Sequence, residues 1–179
     1  MRAVALLIAI FMVVLFPGNL HAASAEEITI GVDATLKRFR QEVPGGGEFL
    51  KKAKGVLAFP KVYKAGFGVG GEYGEGALRI GGKTTAYYST AAASIGFQLG
   101  AQSKSVVLVF MQEQALADFQ RSKGWKAGVD GSVALVKWGA GEDINTIDIK
   151  DPVVGFVFSN KGLMYNLTIE GAKFTRIHR

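Results

Sequence analysis

The fold of this chain is decided by one stretch, Lys51 to Ile80, which reads KKAKGVLAFPKVYKAGFGVGGEYGEGALRI. Lysines alternate with apolar residues in its first half, and glycine recurs at almost every second position from Gly66 to Gly76. A period of two is typical of β-strands, so the second half predicts a strongly bent strand with one face nearly bare of side chains. Glycine inside a strand is tolerated where a bulky group packs closely, and either a helix or an acyl chain could be that group.

Strand-like segments continue through the rest of the chain. Val56–Phe59 is a short apolar run that Pro60 is expected to end, and similar runs bounded by turn residues occupy 84–89, 94–101, 105–110, 128–138, 152–158, 163–169 and 173–177. Short turns such as Gly81–Gly82 and Ser103–Lys104 are predicted between them. Links this short do not allow parallel crossovers, so the predicted sheet is mostly antiparallel.

Three helices are predicted beside this sheet. The first carries a single apolar stripe, with residues spaced four, three and four apart: Val32, Leu36, Phe39 and Val43. A second covers Glu48–Lys54, with Gly55 as its C-cap, and a third covers Gln112–Lys123. The chain is therefore predicted to be α+β: a glycine-rich, mostly antiparallel β-sheet or partial barrel with two N-terminal helices and one helix inserted near 112–123.

The first residues are typical of an export signal. Arg2 is followed by an apolar run that ends at Phe16, and small residues precede a predicted cleavage site before Glu26. The run is short for a membrane span, which needs about 20 apolar residues, although an uncleaved anchor is the alternative. We therefore predict a signal peptide at 1–25 and one domain at 26–179. The chain has no cysteine, so it is not expected to be a lipoprotein, and the mature protein is expected to be soluble and most naturally periplasmic.

Few residues suited to catalysis are present. The only histidines are His21, inside the leader, and the penultimate His178, which argues against triads, dyads and zinc sites. Glu72 and Glu75 are a tempting acid pair, but residues three apart on a regular strand point to opposite faces. A G-x-G-x-x-G pattern begins at Gly66, yet no helix follows it to hold a phosphate. We expect no enzyme activity, no catalytic or metal site and no cofactor.

Basic and aromatic residues form the candidate binding site. The chain has a formal net charge of +6, which suits an anionic partner. A lysine near an anionic bilayer contributes about 1 kcal/mol, so five together could support reversible docking. The predicted lipid-binding residues are Lys51, Lys52, Lys54, Lys61, Tyr63, Lys64 and Phe67. The alternative is a solvated helix end and loop whose aromatic residues belong to the core. Nucleic acid is a poorer candidate for the partner, because the sequence has no recognised nucleic-acid-binding motif.

Several motifs, taken together, resemble the SYLF domain, a lipid-binding module. They are KAKGVLAFP at 52–60, KAGFGVGG at 64–71, GEG at 74–76, SIGFQLGAQ at 94–102, GW at 124–125, GVD at 128–130 and GLMYNL at 162–167. The signature part would thus cover 51–178. The resemblance implies an α+β domain that binds phospholipids: phosphoinositides in eukaryotic members, with actin binding in some fungal ones.

The resemblance also sets the expected partner. Actin is not expected in a periplasm and phosphoinositides are scarce in bacteria, so the implied ligand is phosphatidylglycerol, cardiolipin or another anionic envelope lipid. The sequence therefore predicts a non-enzymatic periplasmic protein that binds an anionic phospholipid or membrane surface. The alternative is a structural or interaction protein of the cell envelope, whose sheet surface binds a protein partner or a second copy of the chain.

Overall fold

A computed structural model describes residues 23–67, 69–95, 100–137, 151–161, 169 and 171–179. Over this part the chain forms three helices and eight strands. In chain order they are α1 (Ala25–Glu42), α2 (Gly46–Lys52), β1 (Gly55–Phe67), β2 (Val69–Ile80), β3 (Lys83–Ile95), β4 (Gly100–Phe110), α3 (Glu113–Arg121), β5 (Trp125–Lys126), β6 (Ala134–Lys137), β7 (Val153–Lys161) and β8 (Lys173–Ile177).

The eight strands form one sheet in the order β5-β8-β3-β2-β1-β4-β7-β6. Every pairing is antiparallel except that of β6 with β7. The sheet curls into a half-barrel, which confirms the predicted α+β class and the partial barrel. Within the described residues, no helix is both long and apolar enough to cross a bilayer.

Ring contacts across the sheet show which face is concave. Phe59 on β1 and Phe174 on β8 have two strands between them, which in a flat sheet would separate their backbones by about 14 Å. Their ring centroids are only 5.6 Å apart. The sheet therefore curls toward this face, where α3 closes the core by placing Phe119 against Tyr88 and Trp125. Trp125 is thus a core residue.

The bare glycine positions are filled by the sheet itself. A Cβ at Gly76 would lie 2.1 Å from the Ala58 carbonyl oxygen and 2.7 Å from the Phe59 ring, and one at Gly74 would lie 2.9 Å from the Val62 side chain. The expectation that a helix or an acyl chain covers these two glycines is therefore wrong. Side chains of β1 lean over β2 because the sheet is so strongly curled.

The convex face carries the two N-terminal helices. The predicted stripe on α1 is confirmed, since Val32, Phe39 and Val43 are buried and Leu36 is half-buried. The Phe39 ring packs edge-on against Phe156 of β7 at 4.8 Å. The core on this convex face is separate from the one under α3. It consists mainly of aliphatic and aromatic side chains from α1, α2 and the convex sides of β1, β2, β4 and β7.

Several predicted boundaries were wrong. Pro60 does not end its strand, because β1 shifts register there in a β-bulge, where a residue without an amide hydrogen is tolerated. The glycine-rich segment is not one bent strand, because the chain reverses between Phe67 and Val69, which are Cα partners. Ser103–Lys104 is not a turn but part of β4.

One predicted turn is confirmed, whereas one predicted helix cap is wrong. Gly81–Gly82 is the turn between β2 and β3, and both residues have positive φ angles, 58° and 79°, which favour glycine. Gly55 is not a C-cap, because α2 ends at Lys52 and β1 begins at Gly55. The strand predicted over 128–138 was too long, because residues 128–130 form a turn and β6 covers only Ala134–Lys137. The strand predictions 94–101 and 163–169 fall partly or almost wholly outside the described residues.

Candidate functional site

The predicted basic and aromatic cluster is divided between two ends of the sheet. Lys51, Lys52 and Lys54 lie at the end of α2 and just before β1, and all three are exposed. The other four predicted residues lie on β1, whose 13 residues span roughly 40 Å when extended. The seven residues therefore do not form one patch.

On the convex face, the end of β1 and the start of β2 form an exposed surface with two tyrosines. Tyr63 on β1 and Tyr73 on β2 are Cα partners, and 58% and 51% of their surfaces are exposed. Val69, 69% exposed, lies on the same side of β2. The helices α1 and α2 do not cover this region. We call it the tyrosine face, and its smaller exposed members are Ala65, Ala91 and Ala93.

Charged groups flank the tyrosine face. Lys61 is exposed and lies two residues before Tyr63, and Lys173 on β8 is exposed and is the Cα partner of Ala91. Glu75 is already paired with Arg179 and accepts a hydrogen bond of 2.7 Å from the Tyr73 hydroxyl. Partial burial, followed by this hydrogen bond, raises the pKa of Tyr73 above its usual 10.0. The hydroxyl therefore stays protonated and neutral at physiological pH.

Lys64 does not share this surface, which corrects the predicted exposed cluster. It is three residues from Lys61 on β1 and points to the concave face, where its side chain is only 2% exposed. Its ammonium lies 3.3 Å from Glu72 Oε1, and that of Lys104 lies 2.7 Å from Glu72 Oε2. Glu72 and Glu75 do point to opposite faces, as predicted, so they form no acid pair.

These three residues, Lys64, Glu72 and Lys104, form a buried charge cluster, with two cations sharing one carboxylate. Burial lowers the pKa of Lys104 below its usual 10.5, and the hydrogen bond and negative charge of Glu72 partly oppose this effect. The register explains the arrangement, because Lys64 is the Cα partner of Glu72 on one side and of Gln102 on the other. Cα partners point to the same face of a sheet, so these polar residues meet inside the curl.

Phe67, the last predicted site residue, ends β1 at the hairpin. Only its backbone belongs to the described part of the structure. Its predicted contact with lipid stays a prediction.

A cleft of about 500 Å³ lies at the opposite end of the sheet from the tyrosine face. Its walls come from α1, from the end of α2 through the start of β1, and from the end of β2 with the turn that follows it. It contains two of the predicted lysines, Lys51 and Lys54, and two arginines. The lining residues are Asp33, Leu36, Arg40, Leu50, Lys51, Ala53, Lys54, Gly55, Val56, Arg79, Gly81 and Gly82.

The described residues that line the cleft include four basic residues and one acidic residue. Arg79 is largely buried, with its Nη2 2.5 Å from Asp33 Oδ1 and its Nη1 donating to the Gly82 carbonyl at 3.1 Å. Lys51 lies 2.8 Å from Glu48 and Lys54 lies 3.3 Å from Glu113, both in exposed ion pairs. The hydrogen bond from Lys51 holds the pKa of Glu48 below its usual 4.5.

Sequence reasoning missed several of these residues. Tyr73 and Val69 join Tyr63 only because β2 pairs with β1 in antiparallel register, and Arg79 reaches Asp33 from 46 residues away. Only the reversal of the chain had a local signal. Dividing the glycine-rich segment into two antiparallel strands would have predicted the pairing of Tyr63 with Tyr73.

Comparison with known families bears on the C-terminal half of the chain. Residues 91–178 match the Ysc84 family, described as "Las17-binding protein actin regulator", which corresponds to the SYLF domain. This part of the chain belongs to the SYLF family. The predicted resemblance is thereby confirmed over residues 91–178, and the family is one that binds lipids or actin. The predicted motifs before residue 91 lie outside the match. No curated protein matches the chain.

The SYLF match begins within β3 and continues through β8. It includes Lys104 of the buried charge cluster and Lys173 beside the tyrosine face. Tyr63, Tyr73 and the cleft precede the matched residues. Their roles must therefore be inferred from their own geometry.

Proposed function

We propose that this protein is a non-enzymatic, exported lipid-binding protein that docks on membranes containing anionic phospholipid, in the periplasm of a bacterial cell. The observation that carries the proposal is the tyrosine face, on which Tyr63 and Tyr73 stand side by side and exposed. Membership of a family that binds lipids or actin supports the same class of partner.

The chemistry of the tyrosine face suits a bilayer interface. Tyrosine has an apolar ring and a polar hydroxyl, and it is enriched where hydrocarbon meets lipid headgroups. Val69, near the tip of the hairpin, adds an apolar side chain that the rest of the described fold leaves exposed. The neighbouring alanines keep the surface flat, so both tyrosine rings could enter the interface together.

Charge gives this surface its preference for anionic lipid. Lys61 and Lys173 flank the tyrosine face, and Arg179 neutralises Glu75. Each lysine near an anionic membrane contributes about 1 kcal/mol, so the two together contribute about 2 kcal/mol. Binding of this strength is reversible and weakens as salt screens the charges.

A protein partner is the second candidate, and the same surface favours it. The matched family is described by its binding to a protein, Las17, and exposed tyrosines are also common at protein interfaces. In this case the tyrosine face would contact an envelope protein or a second copy of the chain.

Co-sedimentation with lipid vesicles tests the proposal. The protein is mixed with vesicles of phosphatidylglycerol and phosphatidylcholine, or of phosphatidylcholine alone. Replacing both Tyr63 and Tyr73 by Ser should weaken binding about tenfold, which corresponds to about 1.4 kcal/mol. Changing Lys61 and Lys173 to Glu should remove the preference for anionic vesicles.

A matched pair of valines provides the control. Val69→Ser should weaken vesicle binding, whereas Val129→Ser should not, because Val129 is 74% exposed but lies in the turn after β5. Equal binding to both kinds of vesicle would contradict the proposal, as would equal losses from the two valine variants. Self-association that depends on Tyr63 and Tyr73, without vesicle binding, would favour the second candidate.

A further inference from the structure

We propose that the cleft between α1, the start of β1 and the turn between β2 and β3 binds the phosphate group of a phosphate ester. The inference goes beyond the proposed function, because the cleft and the tyrosine face lie at opposite ends of β1 and the cleft can be tested without a membrane. The ester could be a lipid headgroup or a small soluble molecule, and the chemistry of recognition would be the same.

The distribution of charge in the cleft favours an anion. Arg40, Lys51, Lys54 and Arg79 line it, and among the described residues that line it Asp33 is the only one with a carboxylate. Asp33 is already committed to the Arg79 guanidinium. The positive charges of Arg40, Lys51 and Lys54 are therefore not balanced by any other charged residue that lines the cleft.

Arg79 is positioned as a fixed donor at the wall of the cleft. Asp33 and the Gly82 carbonyl each hold one of its terminal nitrogens. Within the described residues its Nε has no hydrogen-bond partner, although it is buried. A guanidinium held in place in this way suits recognition of phosphate, because its planar array of donors matches phosphate oxygens.

The lysines in the cleft are free to exchange their present partners. Lys51 pairs with Glu48 and Lys54 with Glu113, and the side chains in both pairs are about half to four-fifths exposed. Exposed ion pairs contribute little to stability, so a phosphate that offers several oxygens at once can replace these carboxylates. Arg40 is exposed as well and can turn toward the same anion.

The rest of the lining indicates an ester rather than inorganic phosphate alone. Leu36, Leu50, Ala53 and Val56 provide apolar surface beside the cations. A volume of about 500 Å³ is within the usual range for small-molecule sites and exceeds what one phosphate fills. The cleft therefore suits a phosphate that carries a small organic group, such as glycerol.

Two probes distinguish the sources of the phosphate. Glycerol phosphate is titrated into the full protein and followed by NMR shifts of backbone amides, and phosphatidylglycerol vesicles are tested by co-sedimentation. The variant combines Arg40→Gln with Lys54→Gln, two exposed positions whose replacement should leave the fold intact. The control combines Lys37→Gln with Lys123→Gln, which removes the same charge from exposed positions outside the cleft.

We expect saturable binding that weakens at least tenfold in the cleft variant, by analogy with other charge-assisted contacts, and that is unchanged in the control. Such a loss with glycerol phosphate supports a soluble ester, and a loss with vesicles alone supports a lipid headgroup. Absence of binding to both probes, or equal binding by variant and control, would overturn the proposal. Replacing Tyr63 and Tyr73 should not change glycerol phosphate binding, so the two sites can fail separately.

Discussion

The Lys104 ammonium lies 2.7 Å from the Glu72 carboxylate inside the curled sheet, where their side chains are only 1% and 8% exposed. The second oxygen of the same carboxylate faces Lys64, which is also buried. A buried carboxylate with two lysines is costly to desolvate, and replacing the whole cluster by apolar residues can be neutral or stabilising. Removing the single anion is different, because both cations would then stay buried without it.

Replacing Glu72 by Gln should therefore destabilise the protein severely. The expected loss in free energy of unfolding is about 3–5 kcal/mol, the cost typical of breaking a buried ion pair from one side. Urea denaturation followed by circular dichroism measures it. Glu113→Gln is the matched control, since its pair with Lys54 is exposed and should contribute no more than about 1 kcal/mol. Equal effects of the two substitutions would show that the buried charge cluster is not structurally important.

The stability that depends on Lys104 should rise with pH. Burial lowers the pKa of Lys104 in the folded protein below 10.5, so between that lowered value and 10.5 the unfolded chain binds more protons than the folded one. The free energy of unfolding increases with pH wherever this holds, and the contribution is constant below the folded pKa.

Urea denaturation of the wild type and Lys104→Met at a series of alkaline pH values checks this sign. The free energy of unfolding of the wild type, minus that of Lys104→Met, should increase as the pH approaches 10.5. Lys123→Met controls for the general effect of removing one positive charge from an exposed position. A decrease of this difference with rising pH would contradict the prediction.

Local patterns predicted the helices and the α+β class because their signals lie within a few residues. The stripe on α1 needs only a period of 3.6, and the turn at Gly81–Gly82 needs only two glycines. The binding surfaces depend on register, which a strand does not reveal by itself. Once β1 and β2 pair in their observed register, Tyr63 is the Cα partner of Tyr73 and Lys64 is the Cα partner of Glu72.

The strand period alone predicts that Lys61 and Lys64 lie on opposite faces of the sheet. Residues three apart on a strand point to opposite faces, as was argued for Glu72 and Glu75. Grouping the lysines by composition hid this distinction. The cleft was not predictable in the same way, because Arg79 meets Asp33 only after the helix packs on the sheet.

Ser24 should stabilise the start of α1. Its hydroxyl accepts a hydrogen bond from the Glu27 amide at 3.1 Å, and the Glu27 carboxylate accepts one from the Ser24 amide at 2.7 Å. These bonds hold the pKa of Glu27 below its usual 4.5. Ser24→Ala should lower the free energy of unfolding by about 1 kcal/mol, whereas Ser24→Asp should largely preserve it.

The same cap bears on the predicted leader. Cleavage before Glu26 would remove Ser24, so a protein that begins at Glu26 should be less stable than one that begins at Ala23, again by about 1 kcal/mol. Thermal or urea denaturation of the two forms measures the difference. Identical midpoints would show that the capping box contributes nothing, and mass spectrometry of the exported protein would identify its natural first residue.

Replacement by Ala should lower the free energy of unfolding at Gly76 and raise it at Gly47. A Cβ at Gly76 would lie 2.1 Å from the Ala58 carbonyl oxygen, so Gly76→Ala would force β1 and β2 apart at this close approach. Overpacking of this kind typically costs about 1–3 kcal/mol. A Cβ at Gly47 would meet nothing within 4 Å, and the residue lies inside α2, so Gly47→Ala should stabilise the protein by about 0.5–1 kcal/mol. Urea denaturation of the two variants tests both signs, and a stable Gly76→Ala protein would contradict the close approach of β1 to β2 that shapes the half-barrel.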